Sequence, residues 1–191
     1  VRVAEQTVGD LMANVACNEV GGRALLEFMD EYGLEEIESL SDAVNAHAEA
    51  AMRERIAEIP DGTFENAIDI EGPGQAIRLA AAISVSGETV GIDFTGTGAP
   101  VRASINVPFC YTRAQSNYVI KCLTIPSLPN NEGAMRPIAV SAPDDCILNA
   151  LHPWPTGGRH SVGHFVVPLL MGALAPALPD KVQADAAMMN V

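Results

Sequence analysis

The hydrophobic pattern changes its period once, at Pro60-Asp61-Gly62, and that change limits the architectures open to the chain. Before it, the apolar spacing is helical. Over residues 39–59, Leu40, Val44, Ala48, Ala51, Met52, Ile56 and Ile59 form one stripe, with Ser41 as a cap candidate. Over residues 7–32, Leu11, Val15, Leu25, Leu26, Met29 and Tyr32 share a helical spacing, with Thr7 or Asp10 to cap the start and Gly33 to stop it. Gly21-Gly22 weakens that helix by roughly 1 kcal/mol per glycine, so a break or a close helix contact is expected there.

After the turn the period is two. Ile77, Leu79, Ala81, Ile83 and Val85 alternate with Arg78, Ala80, Ala82, Ser84 and Ser86. Gly87-Glu88 fits a tight hairpin, and Val90, Ile92 and Phe94 then point one way while Asp93 and Thr95 point the other. With residues 63–70 this predicts an antiparallel meander of three strands. Residues 108–124 read as a helix with Pro108 in its first turn, 125–137 as a loop and 138–143 as a further strand. From His160 the pattern is helical again, and Pro168 predicts a kink because its ring opposes the carbonyl of His164. Helices, then strands, then a mixture, with no repeating strand–helix–strand unit, give an α+β class: a β-meander packed with several helices. The expected division is a helical region at 1–60 and a mixed region at 61–191.

Charge narrows the function. With 11 basic and 24 acidic residues, the chain carries a formal net charge of −13, which opposes nucleic-acid and anionic-membrane binding. No apolar run reaches the roughly 18 residues of a bilayer span. The four cysteines, Cys17, Cys110, Cys122 and Cys146, form no C-x-x-C pair and are read as reduced thiols of a cytoplasmic protein. The opening "VRVAEQTVGD" and the closing "ADAAMMNV" read as cuts through folded sequence, so a segment of a longer multidomain subunit is expected.

Three stretches carry candidate chemistry, and one residue stands between them. In "DFTGTGAP", Asp93, Thr95 and Thr97 could present hydroxyls and backbone N–H groups to a polar substrate, or simply form a tight loop leaving a sheet. Asn106, just before Pro108, is a substrate contact or a helix cap. "PNNEGAMRP" combines Asn131, Glu132 and Arg136 in one polar loop, as a binding segment or as a turn with an Arg–Glu surface pair. In "WPTGGRHSVGH", Arg159 stands at a helix start, where a guanidinium favours an anion, or marks a solvated helix start. His160 and His164 lie four apart on one face, but H-S-V-G-H lacks the glutamate of H-E-x-x-H and no third ligand is evident, so no metal ligand is assigned.

The order of motifs carries a resemblance. "GDLMANVACNEVGGRALLEFMDEYG", "IPDGTFE", "GIDFTGTGAPVRASINV", "IPSLPNNEGAMRPIAV", "APDDCILNALHPWPTGGRH" and "LLMGALAPALPDKVQA" follow one another as in the hydantoinase B / oxoprolinase family, which this chain resembles over nearly its whole length. The resemblance implies a B-type component of an ATP-dependent enzyme that opens a hydantoin or 5-oxoproline ring. It also implies an A-type partner that holds ATP with Mg, a hetero-oligomer, and a metal site in a region preceding this chain. Arg159, Arg136 and Asp93 are then the expected catalytic residues, and Thr95, Thr97, Asn106, Asn131 and His160 the expected substrate contacts. Two alternatives stand beside this one: the large subunit of an acetone or acetophenone carboxylase, and a scaffolding segment without chemistry of its own.

Overall fold

The computed structural model describes residues 3–181. Its elements are α1 (Ala4–Tyr32), α2 (Glu38–Ile56), β1 (Gly62–Ile70), β2 (Ile77–Ser86), β3 (Thr89–Asp93), α3 (Phe109–Thr124), α4 (Glu132–Met135), β4 (Ile138–Ser141), α5 (His160–Gly163) and α6 (Val166–Leu174), with a 3-10 turn at Pro179–Lys181. The α+β class stands. The chain divides into two compact units, one ending at Val44 and one beginning at Asn45.

The first unit holds α1 and the opening of α2. α1 is continuous through Gly21-Gly22, so the expected break is absent. The glycines lower helix propensity but keep their N–H and C=O groups, and the turns on either side carry the ladder across. The start is not capped by Thr7 or Asp10 either: Val3 precedes the helix, and the Thr7 hydroxyl donates to the Val3 carbonyl inside the first turn. The stop is as expected, since Gly33 adopts the left-handed conformation at φ 63° and donates to the carbonyl of Asp30. No residue of α1 is buried. At the start of α2, the Glu36 carboxylate accepts from the Ser39 N–H at 3.0 Å, while Ser41 lies inside the helix rather than at its cap. That contact with Ser39 holds the Glu36 carboxyl below the usual range.

The second unit is built on a four-stranded sheet in the order β1-β2-β3-β4. The first three strands form the antiparallel meander, with Ile83 opposite both Phe64 and Ile92. β4 joins β3 in parallel, Asp93 opposite Ser141, so the sheet is mixed rather than wholly antiparallel. The period of two has its effect here: Leu79, Ala81, Ile83 and Val85 on β2, with Val90 and Ile92 on β3, are buried on one face. α6 lies against β1 and β2 on that face and against α3. Each large aliphatic side chain among them contributes about 1.5–3 kcal/mol by leaving water.

Ala48, Met52 and Ile56 of α2 belong to the same core. Leu40 and Val44, earlier in the predicted stripe, are exposed.

The last predicted helix is two helices. The break falls at His164–Phe165, just upstream of Pro168. Restarting at Val166 places Pro168 in the first turn, where a missing N–H has no partner to lose. Pro108 precedes α3 as its cap residue rather than standing in the first turn. The predicted loop 125–137 contains the short helix α4.

Candidate functional site

The eight predicted site residues fall into two groups, both inside the second unit. The first lies where β3 ends. Beyond Asp93 the ladder continues for one bond, Phe94 N–H to the Ser141 carbonyl, and Phe94 is fully buried. Asp93 points from the opposite face, as its register requires. Its Oδ1 accepts from the Thr95 N–H at 3.3 Å, the Thr95 hydroxyl at 3.1 Å and the Ser141 hydroxyl at 3.1 Å. Three donors on one oxygen fix the carboxylate's orientation and leave Oδ2 outside these bonds.

Gly96 follows at φ 94°, a conformation that a side chain would strain. Thr97 then returns to the sheet: its hydroxyl donates to the Ala80 carbonyl at 3.0 Å and accepts from the Ala80 N–H at 3.1 Å. Thr95 borders a shallow depression of about 500 Å3 on the outer face of the sheet, which Glu65, Arg78 and Ala82 also line.

Asn106 ties this loop to the next candidate. It is fully buried and caps no helix, which corrects the capping alternative. Its Oδ1 accepts from the Val101 N–H, and its Nδ2 donates to the carbonyls of Val101, Ala103 and Pro155 at 2.8, 2.8 and 3.0 Å. The bond to Pro155 spans 49 positions and draws the Trp154–Gly158 stretch against the 101–106 loop. The Gly158 N–H donates to the Ser104 carbonyl in the same place. Arg159 comes next and is exposed; among the described residues its Nη1 reaches only the Thr156 carbonyl, at 3.5 Å. His160 is exposed and His164 half-buried on the four-residue α5 and its end. Among the described residues, no three His, Cys, Asp or Glu side chains come together as a metal cluster.

The second group surrounds α4. Asn131 caps this helix, its Oδ1 accepting from the Ala134 N–H at 3.0 Å. Gly133 is pressed against α2: a Cβ there would lie 1.9 Å from the Asn45 carbonyl oxygen, so only glycine permits the approach. Its N–H donates to Asn45 Oδ1. Arg136 pairs with Glu49 at 3.2 Å, not with Glu132 as the surface-pair alternative had it. Glu49 also accepts from Arg53 at 2.7 Å, and the two guanidiniums, Arg53 first, hold its carboxyl below the usual range.

Sequence reasoning pairs Glu49 with Arg53 but not with Arg136, and does not single out Ser141, Arg113, Asn117 or Lys121. The last three stand at intervals of four on α3, a spacing that marks one helix face in the sequence itself.

Residues 1–191, the whole chain, match the family described as Hydantoinase B/oxoprolinase. The chain is 29% identical over 205 residues to the B component of a putative D-/L-hydantoinase from a Pseudomonas species, covering all of this chain and 35% of that protein. It is 28% identical over 161 residues to 5-oxoprolinase 1 of Arabidopsis thaliana, covering 78% of this chain and 13% of that protein. The fold is shared with the ATP-dependent caprolactamase of Pseudomonas jessenii, with TM-score 0.80 and 23% identity over 91% of this chain and 31% of that one. It is shared less closely with an acetone carboxylase, TM-score 0.66 and 18% identity over 83% of this chain and 23% of that one. The chain thus spans about a third of the hydantoinase component it matches.

Proposed function

The chain belongs to the Hydantoinase B/oxoprolinase family, and on that footing we propose that it forms part of an ATP-dependent enzyme that hydrolyses a cyclic amide, a hydantoin or 5-oxoproline-like ring. The observation that carries this reading is the family match along all 191 residues. Relatives described as a hydantoinase component and as a 5-oxoprolinase, and a fold shared with a protein described as an ATP-dependent caprolactamase, support it. The hydantoinase relative is itself one part of a multi-subunit enzyme, which supports a hetero-oligomer with an A-type partner, and we place the assembly in the cytoplasm.

ATP and metal do not fit the residues described. "DFTGTGAP" lacks the lysine of a phosphate loop, and the metal donors do not cluster. We place nucleotide and Mg on the A-type partner, and the metal in a region preceding these residues, as the family resemblance implies. No step on this chain runs through either.

What the chain's own groups offer is position and charge. Asp93, held by Thr95 and Ser141, presents Oδ2 to a substrate N–H. Arg159 keeps its guanidinium almost unengaged, ready for the oxyanion that forms as an amide carbonyl is attacked. Asn106 holds the Arg159 stretch against the loop after β3. Arg136 supplies a second cation near α4. Thr97, Asn131 and His160 complete the proposed contacts, although the first two side chains already hold backbone groups.

The test is a substrate panel. The naturally encoded protein with its A-type partner is given ATP together with hydantoin, 5-oxoproline, or acetone plus bicarbonate. ADP release that depends on a cyclic amide is expected. Release only with the ketone and bicarbonate would give the carboxylase reading instead. A scaffolding role is favoured by one observation, the exposed apolar residues of α1, among them Leu11 at 59% and Leu26 at 67%. ADP release with no dependence on the residues above would give that reading.

A further inference from the structure

α3 and α4 enclose a groove that, of the eight candidate residues, only Arg136 lines. Its larger part is a cavity of about 390 Å3 lined by Arg113, Asn117, Tyr118, Lys121, Asn130 and Met135, among others. A smaller cavity of about 230 Å3 shares Arg113, Asn117 and Met135 and adds Glu132 and Arg136. The two are one groove with a common wall. Arg113, Asn117 and Lys121 recur at intervals of four residues, about 6 Å of helix rise each, so they form a ladder along it.

Two features of this ladder ask for a ligand. The first is charge. In a chain of net charge −13, the groove gathers Arg113, Lys121 and Arg136 against the single carboxylate Glu132. Arg136 has Glu49 and Lys121 has Asn130 at 2.6 Å, but Arg113 has neither a hydrogen bond nor an ion pair among the described residues. The second is an orphaned acceptor. Asn117 is 7% exposed, and its Oδ1 is buried with no hydrogen-bond partner among the described residues. Its Nδ2 meets only the Met135 sulfur, at 3.4 Å. A buried carbonyl oxygen without a donor costs about 1–3 kcal/mol. Asn117 lines both cavities, and the one hydrogen-bond neighbour of its amide there, the Met135 thioether, is a flexible side chain that leaves the amide carbonyl for a bound donor.

We propose that this groove binds a small carboxylate that also carries an N–H donor, the anion held by Arg113 with Lys121 and the N–H donating to Asn117 Oδ1. Ala114, Cys110 and Pro126 supply apolar surface for a compact body between the two polar ends. A lactam bearing a carboxylate has these groups, and the inference rests on the reading above only for that choice of probe.

The test measures direct binding by titration calorimetry, without ATP. The probes are 5-oxoproline and the lactone of the same shape, 5-oxotetrahydrofuran-2-carboxylate, in which ring oxygen replaces the N–H. The lactam is expected to bind about tenfold more tightly, one hydrogen bond to a buried acceptor. Arg113→Gln should weaken both probes about tenfold or more. Asn117→Leu should abolish the preference for the lactam. Arg113 is exposed, so its variant tests the site even where Asn117→Leu does not fold. Equal binding of the two probes, binding indifferent to Arg113→Gln, or no binding of either overturns the proposal. Binding with the expected preference but no ADP release in the substrate panel would keep the site and sink the hydrolase reading. Release without Arg113-dependent binding would do the reverse.

Discussion

Asn106 shows most clearly what one residue does here. The sequence places it before Pro108, where a cap is the natural reading, yet its amide is taken up by backbone groups of Val101, Ala103 and Pro155. Its role depends on Pro155, 49 positions away, and nothing local to "INVP" encodes that. Asn106→Ala leaves the Val101 N–H and three carbonyls without their partner, so a loss of about 3 kcal/mol in a urea unfolding curve is expected. A loss below about 0.5 kcal/mol, the range of ordinary surface changes, would mean that the amide holds nothing. Asp93 was more legible. Strand alternation gave its direction, but not Ser141, which is brought beside it by a parallel pairing 48 positions apart.

At the scale of elements, the legible parts are those with a period. β2 and β3 bury the residues that alternation selects, and α1 to α3 lie within a few residues of their predicted ranges. Short or interrupted elements were not legible. α4 has four residues, too few for a periodic signal, and Pro168 announced a disturbance without showing that the helix would restart upstream of it.

The join between α2 and α4 belongs to this scale, with Glu49 bridging Arg53 and Arg136 across an 87-residue separation. Glu49's carboxyl is held below its usual range by Arg53 and then Arg136. A carboxyl lowered by folding stabilises the native state above its unfolded pKa, and that contribution is lost as pH falls through the folded value. Thermal melts of wild type and Glu49→Gln should therefore differ at neutral pH, wild type melting higher, and converge once the pH is well below about 4. A difference that persists unchanged into acid would mean that the pair is not what separates them.

For the molecule as a whole, composition and charge excluded partners more readily than they named a reaction. The family came from the order of motifs, and the whole-chain match places the protein in it. The chain spans about a third of the hydantoinase component it matches, so its contribution to turnover is the central question. Arg159 decides it most directly, because of the two proposed catalytic guanidiniums, Arg159 and Arg136, it has the less internal employment. The measurement is cyclic-amide-dependent ADP release by the naturally encoded protein with the A-type partner proposed for it, wild type against Arg159→Ala. A fall of about 100-fold, the scale of losing one oxyanion contact, is the predicted result. Unchanged release would contradict the placing of catalytic groups on this chain.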